Sequence, residues 1–404
     1  MATQTIYFDQ VDAIKFNNQD VNELYINSQK AWPTPKYLIF SVYAPGQTAQ
    51  QWQLSTANSS KNWDGTIEYS TDYGNTWNTW DGTTAISSNN NGDIWIRGKN
   101  NTYISKGSTN AWQFSGNQLI NCYGNIESLL DHEILETNNH PVMADSAFSA
   151  MFYENTNLRK APSLNSPTAT NYCYSSMFQN CTNLEEPPDK ILASTFETRS
   201  CNSMFKGCTS LIDVPSIKNV TTIKDRAFYE TFRGCTSLSS ANSINISSAE
   251  AIGNYCFAST FRGCTSLINL PTISLQSLTN YCFYYTFADC SSLNNVLTIN
   301  YSTLTNLCFA GMYMNCTSLE KLPSFYALSY PSNCCNAMFN GCTKIKLSTT
   351  QAGEYTNEYR IPSSGTSATV GTGWSSSMFQ GTGGTFTGNP TVNTIYYTSN
   401  TIVS

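Results

Sequence analysis

Fifteen cysteines in a chain of 404 residues could do three kinds of chemistry: pair as disulfides, hold a metal ion, or attack an electrophile as thiolate. Their spacing discriminates among these. Cys181, Cys208, Cys235, Cys264, Cys290, Cys316 and Cys342 each stand three residues after an aromatic, in blocks such as "FQNC", "FKGC", "FRGC", "FADC" and "YMNC". Cys173, Cys201, Cys256, Cys282, Cys308 and Cys334 precede the same aromatic by five residues, or four at Cys201. Ala147 and Ala227 take that second place where cysteine is missing, and only Cys122 and Cys335 fall outside both columns. An odd count with alanine replacements leaves a disulfide framework without partners. Zinc needs four converging ligands, typically from close pairs. Here there is no CxxC, and the only histidines are His132 and His140. A catalytic thiol stands alone beside a base, not in a ladder. Alternation with alanine asks for something small and apolar, which a reduced, buried cysteine supplies. The columns therefore predict structural thiols, with no catalytic, metal or cofactor-binding residue among them.

The elements that carry these columns repeat. Phe152, Phe178, Phe205, Phe232, Phe261, Phe287, Tyr313, Phe339 and Phe379 follow one another at intervals of 26, 27, 27, 29, 26, 26, 26 and 40 residues. Such a period is the mark of a solenoid, in which each coil buries its apolar side only against its neighbours. In "TNYCFYYTFADCSSLNNVLTINYSTL" (279–304), Thr279 or Asn280 is placed to cap a short helix carrying Cys282, Thr286 or Phe287, and Cys290 on one side. Leu293, Val296 and Ile299 follow three residues apart, the spacing of a curving coil rather than a flat strand. Pro215, Pro271 and Pro323 next to the expected strands fit short coils. The expected unit is a short helix, a short strand and tight turns.

The blocks "MFQNCTNLEEPP" (177–188), "MFKGCTSLIDVP" (204–215) and "FRGCTSLINLP" (261–271) resemble the cysteine-containing leucine-rich repeats of the BspA-like type, whose units carry "MFxxCTSLxxLP". The resemblance covers roughly 147–345, with a degenerate return in "MFQGTGGTFTGN" (378–389). It implies an α/β leucine-rich-repeat solenoid of about eight coils, set on bacterial cell surfaces or in phages of gut bacteria. It implies an attachment or interaction role without enzyme activity.

The remaining segments divide as follows. Residues 1–36, anchored by Val21, Leu24, Ile26 and Trp32, resemble the short β segments that join phage fibre proteins to their particle. Residues 37–120 hold strand candidates between Gly, Asn and Asp turns, and read as a β-sandwich-like domain. Within it, "STDYGNTW" (70–77) fits the SxDxGxxW box, a hairpin device at Asp72–Gly74 rather than a catalytic motif. Residues 121–150, with Leu129, Leu130, Ile134 and Leu135, are the expected N-terminal cap of a solenoid running over 151–345. Residues 346–404 hold an insertion, the degenerate last repeat and a C-terminal cap.

Composition bounds the partners. A net charge of -6 argues against a nucleic-acid surface, and charged residues are 12% of the chain, about half the usual share. No apolar run is long enough to span a bilayer, and "MATQTIYFDQVDAIKF" has no secretory leader pattern. These features together favour a non-enzymatic phage virion protein, a tail or head fibre assembled in the host cytoplasm. In that reading the N-terminus binds other virion proteins and the solenoid meets a host-surface glycan or protein. The alternative is a bacterial cell-surface BspA-like adhesin. Fibre proteins are commonly trimeric, although no coiled-coil heptad is present. Tyr281, Tyr284, Tyr285, Tyr301, Tyr326 and Tyr330 are the candidate contact aromatics.

Overall fold

The computed structural model describes residues 37–44, 50–107, 110–247 and 249–403. It also describes, as backbone only, two antiparallel hairpins built from Ile14–Phe16 with Gln19–Val21 and Leu24–Ile26 with Gln29–Trp32. The side chains of Val21, Leu24, Ile26 and Trp32 lie outside the described residues.

Strands with alternating apolar residues form a six-stranded sheet in the order Leu158–Lys160, Leu119–Tyr123, Leu38–Tyr43, Asp93–Lys99, Thr66–Ser70 and Asn78–Trp80. A three-stranded sheet of Trp112–Phe114, Gln53–Thr56 and Ile86–Ser87 supplies the facing rings. Phe40 meets Phe114 at 5.2 Å and Trp112 at 6.1 Å between centroids. The edge strand Leu158–Lys160 belongs to the first coil and pairs parallel with Leu119–Tyr123, so the repeat continues directly from this sheet.

Trp112 stands where a preceding coil would be. Its N–H donates to Met151 O at 2.6 Å, as Phe152 N–H donates to Met177 O at 2.8 Å. Asn155 Nδ2 returns a bond to Trp112 O at 3.1 Å. The open end of the stack is covered here, with Phe40 at 6.1 Å and Phe114 at 6.2 Å from Phe152. The helix Ser128–Glu136 does something else. It lies on strand Asp93–Lys99, where Asn101 N–H donates to Leu130 O at 2.9 Å and His132 Nδ1 meets Gly98 O at 2.8 Å. Gly98 is required there, because a Cβ would come within 1.7 Å of Leu129 O. Leu129 and Leu130 are buried in this contact, whereas Ile134 is exposed.

The described residues are mostly β, and the repeats carry turns where a helix was expected. From Tyr172 to Cys181 the odd-numbered amides close turns onto the carbonyl three residues back, and the even-numbered amides bond to the next coil. Tyr172, Ser176 and Asn180 have φ of 56°, 54° and 61°, which places a left-handed residue at the third position of alternate turns. Thr279 and Asn280 do not cap a helix. Thr279 Oγ1 donates to Gly253 O at 2.7 Å, and Asn280 Oδ1 accepts from Asn306 N–H at 3.1 Å. From Tyr172 to Cys181 each amide is paired within its coil or across to the next, so helical bonds are not needed.

Nine rings stack through the interior from Phe152 to Phe379. Their successive centroids lie 5.2 to 5.8 Å apart, with planes within 12°. Leu293, Val296 and Ile299 point inward beside them. The stack is unbroken across the last interval, where Phe339 and Phe379 are 5.4 Å apart. The intervening segment loops out, and its strand Asn357–Arg360 pairs with Ile395–Thr398.

Candidate functional site

All fifteen cysteines are free and buried. In the column after the aromatic, each thiol donates to the carbonyl of the aromatic one coil back. Examples are Cys181 Sγ to Phe152 O at 2.9 Å, Cys208 to Phe178 O at 3.0 Å, Cys264 to Phe232 O at 3.1 Å and Cys342 to Tyr313 O at 3.0 Å. The column thus wants a small apolar body with a weak donor, which alanine lacks. Cys201, and Cys335 outside the columns, stand four residues before the aromatic, a place that Phe228, Phe257, Phe283 and Phe309 fill elsewhere. Phe196 tilts in beside Cys201 to meet Phe228 at 4.7 Å. Burial raises the thiol of Cys201 to about 12 and of Cys342 to about 12, and pushes Cys208, Cys264 and Cys290 up strongly. The thiolate is the reactive form, so these groups are inert. Ellman titration of the native chain is expected to find almost no reactive thiol. In denaturant without reductant it is expected to find all fifteen; recovery of fewer than half would show that the columns are bridged.

The chemistry left to the molecule is therefore on its outside. Along the turn face, six residues before five of the nine stacked aromatics, stand Tyr172, Arg199, Arg226, Tyr255 and Tyr281. Arg199 Nη1 donates to the Tyr172 hydroxyl at 2.8 Å, and Arg226 lies over the Tyr255 ring at 4.7 Å. Tyr255 stacks on Tyr281 at 4.2 Å, and Tyr281 meets Tyr284 edge-on at 5.6 Å. Tyr284 in turn meets Tyr285 edge-on at 4.5 Å, and Arg262 lies over Tyr285 at 5.2 Å while pairing with Asp289 at 3.1 Å. Of the candidate aromatics, Tyr281, Tyr284 and Tyr285 thus come together, half-exposed. Tyr326 is exposed elsewhere. Tyr330 is fully buried, and Tyr301 is partly buried, accepting from Leu275 N–H at 3.3 Å. The sequence reading missed Tyr172, Arg199, Arg226 and Tyr255; aligning the column six before the aromatic would have found them.

The matched sequence model is the BspA type leucine rich repeat region, in six copies over residues 145–260 and 229–346. That is half the chain. The chain belongs to the BspA-type leucine-rich-repeat family. Solved structures similar to it include a leucine-rich repeat protein from Eubacterium ventriosum, at 17% identity over 61% of this chain and 65% of that one, with a TM-score of 0.31. Another is a leucine-rich repeat protein from Bacteroides ovatus, at 15% identity over 65% and 64%, TM-score 0.27. A third is a leucine rich cell surface protein from Faecalibacterium prausnitzii, at 15% identity over 58% and 91%, TM-score 0.22. The chain spans just under two thirds of the length of the first two. No curated protein matches it.

Outside the BspA-type repeats, the box at 70–77 is a turn brace. Asp72 accepts from Thr76 N–H at 2.9 Å and Thr76 Oγ1 at 2.6 Å, and Ser70 Oγ donates to it at 2.7 Å. The Thr76 hydroxyl, then its amide, hold the Asp72 carboxyl down at about 2. Trp77 Nε1 closes the hairpin onto Gly74 O at 3.1 Å. No His, Cys, Asp and Glu cluster suited to a metal occurs among the described residues.

Proposed function

We propose that the chain is a non-enzymatic attachment module displayed on a bacterial cell surface, with the BspA-type solenoid as a rigid scaffold for an exposed recognition face. The observation that carries this reading is the filled interior. Rings and thiols occupy it continuously, and the cavity among Ile217, Phe228, Phe232, Ile244 and Phe261 is only about 10 Å³. Recognition then falls to the outer face, which is polar and sparsely charged. Family membership supports the bacterial alternative over the virion reading, which rested on the sparsely charged polar composition, the thiol columns and the N-terminal sequence pattern and has no support from these observations. Protease shaving of intact cells that produce the chain, read by peptide mass spectrometry, is expected to release peptides from the turn face. Recovery of the chain only in phage particles purified from the same culture would reverse the assignment, and recovery only in the cytoplasmic fraction would sink both.

A further inference from the structure

We infer that the row Tyr172–Arg199–Arg226–Tyr255–Tyr281 binds a linear acidic polysaccharide, with Arg199 and Arg226 holding its carboxylate or sulfate groups; the inference rests on the surface-attachment reading above. The first observation is the choice of residue at a left-handed turn position. These five residues have φ of 56°, 55°, 56°, 56° and 60°. Eight residues later in each coil the same region of φ recurs at Asn180, Gly207, Gly234, Gly263 and Asp289. There the sequence uses the types that a left-handed backbone tolerates. In the row it uses tyrosine and arginine, at a cost of about 1 kcal/mol each. The left-handed turn itself is a demand of the coil, met in the same column by Ser146, Leu307 and Asn333 and four residues later by Ser176, Ser203, Glu230 and Ser259. What sets these five rungs apart is that they fill it with tyrosine and arginine whose side chains reach solvent.

The second observation is charge. Arg199 and Arg226 occupy neighbouring rungs, joined by Arg199 N–H to Asp225 O at 3.0 Å. Other cations of this face are tied to acids: Lys206 and Arg233 to Glu230, and Arg262 to Asp289. Arg226 has no ion-pair partner among the described residues, and Arg199 is held by the Tyr172 hydroxyl. The adjacent Asp225 turns Oδ1 to Asn254 N–H at 2.7 Å. The two guanidinium groups turn to opposite flanks, Arg199 to Tyr172 and Arg226 to Tyr255, so each offers its remaining N–H donors to an acidic group of the ligand beside a tyrosine.

The third observation is repetition and ring orientation. One member of the row stands on each coil at the inter-strand spacing, so the row extends about 20 Å. A polymer with recurring charged groups matches that length better than a single small ligand. Tyr255 has Arg226 over one side and Tyr281 stacked at 4.2 Å, so its ring faces are taken. Bases need a free ring face to stack on. What remains outward is ring edges, hydroxyls and guanidinium tips, the donors and acceptors that suit sugar hydroxyls and carboxylates.

The test is biolayer interferometry of the full chain on immobilised polygalacturonate and chondroitin sulfate, with neutral dextran and single-stranded DNA alongside. Saturable binding to a polyanionic glycan, weakened by added salt, is expected. Arg199→Gln combined with Arg226→Gln is expected to lose at least about tenfold in affinity. Tyr255→Asn is expected to weaken binding while its thermal midpoint holds or rises, because asparagine tolerates the backbone that tyrosine strains. A lowered midpoint with unchanged binding would make the row a packing device and overturn the inference. Equal binding to dextran or DNA, or none to either polyanion, would overturn it as well. Adhesion of the purified chain to epithelial cells separates the two layers of argument. If the wild type and the double arginine variant adhere equally, the row is refuted and attachment stands; if neither adheres, the attachment reading itself fails.

Discussion

Phe261→Ala is expected to remove about 3–5 kcal/mol of stability and to split a single unfolding transition into two. Phe261 is 1% exposed and stacks on Phe232 at 5.3 Å and on Phe287 at 5.6 Å. Truncation leaves a hole beside the existing cavity of about 10 Å³, which Phe261 itself lines. The two spaces merge, so collapse of the site is harder and the cost belongs at the upper end of the range. A solenoid couples each coil only to its neighbours, so losing both contacts of one ring weakens the link between the two halves of the stack. The sheets near the N-terminus hold Trp52, Trp63, Trp77, Trp80, Trp95 and Trp112, whereas the repeats beyond Phe261 hold only Trp374. Tryptophan fluorescence therefore follows the N-terminal part, and far-UV circular dichroism follows the whole. In urea the two probes are expected to coincide for the wild type and to separate for Phe261→Ala, with the dichroism falling first. Phe261→Leu, which keeps most of the volume and loses the stack, is expected to cost under about 2 kcal/mol. A loss below about 1 kcal/mol for the alanine variant would mean that the ring stack does not hold the coils together.

The period and the contents of the interior were legible in the sequence for the reason this prediction works: a stacked ring and a buried thiol must recur once per coil. The path of the backbone was not. Cys282, Thr286 and Cys290 lie four residues apart, and both a helix and a run of four-residue turns bring such residues to one side. What separates the two is the position before the cysteine, filled by Asn180, Gly207, Gly234, Gly263, Asp289, Asn315 and Gly341, all with positive φ. Those types recur because a left-handed residue is needed there, and a helix has no use for them. Surface assignment failed for a related reason. Tyr301 and Tyr330 look no different from Tyr255 in a single coil, and only the column each occupies decides whether it packs inward or lies on the turn face. The place of Trp112 over the first coil was hidden too, because it is fixed by a backbone bond to Met151 and by Asn155, beside the pairing of Leu119–Tyr123 with Leu158–Lys160.

Asn400→Ala is expected to cost about 3 kcal/mol or more and to loosen the C-terminal end of the stack. Asn400 is 7% exposed, and its side chain joins segments far apart in the chain. Nδ2 donates to Glu320 O and to Lys344 O, each at 3.0 Å, and Oδ1 accepts from Lys346 N–H at 2.7 Å. Alanine leaves these three part-buried backbone groups without their partner at once, and each costs more than its bond is worth net to the extent that water cannot replace Asn400. The strands that depend on this brace, Ile395–Thr398 and Thr401–Val403, carry Tyr396 against Phe386 at 4.6 Å, and Phe386 covers Phe379, the last ring of the stack. Hydrogen exchange read by mass spectrometry is expected to show protection lost over 339–403 and kept over 150–260. Asn400→Asp gives a sharper version. A carboxylate still accepts from Lys346 N–H but faces two carbonyl oxygens with nothing to donate, so the ionised form is disfavoured and the carboxyl is raised in the folded state. A raised carboxyl stabilises the fold at low pH and loses that contribution as pH climbs through its folded value. The Asp variant is therefore expected to recover protection on mild acidification, where the neutral acid can donate to one carbonyl, while the Ala variant does not. Equal protection in the wild type and in both variants at neutral pH would show that the strand pairs hold this end without Asn400.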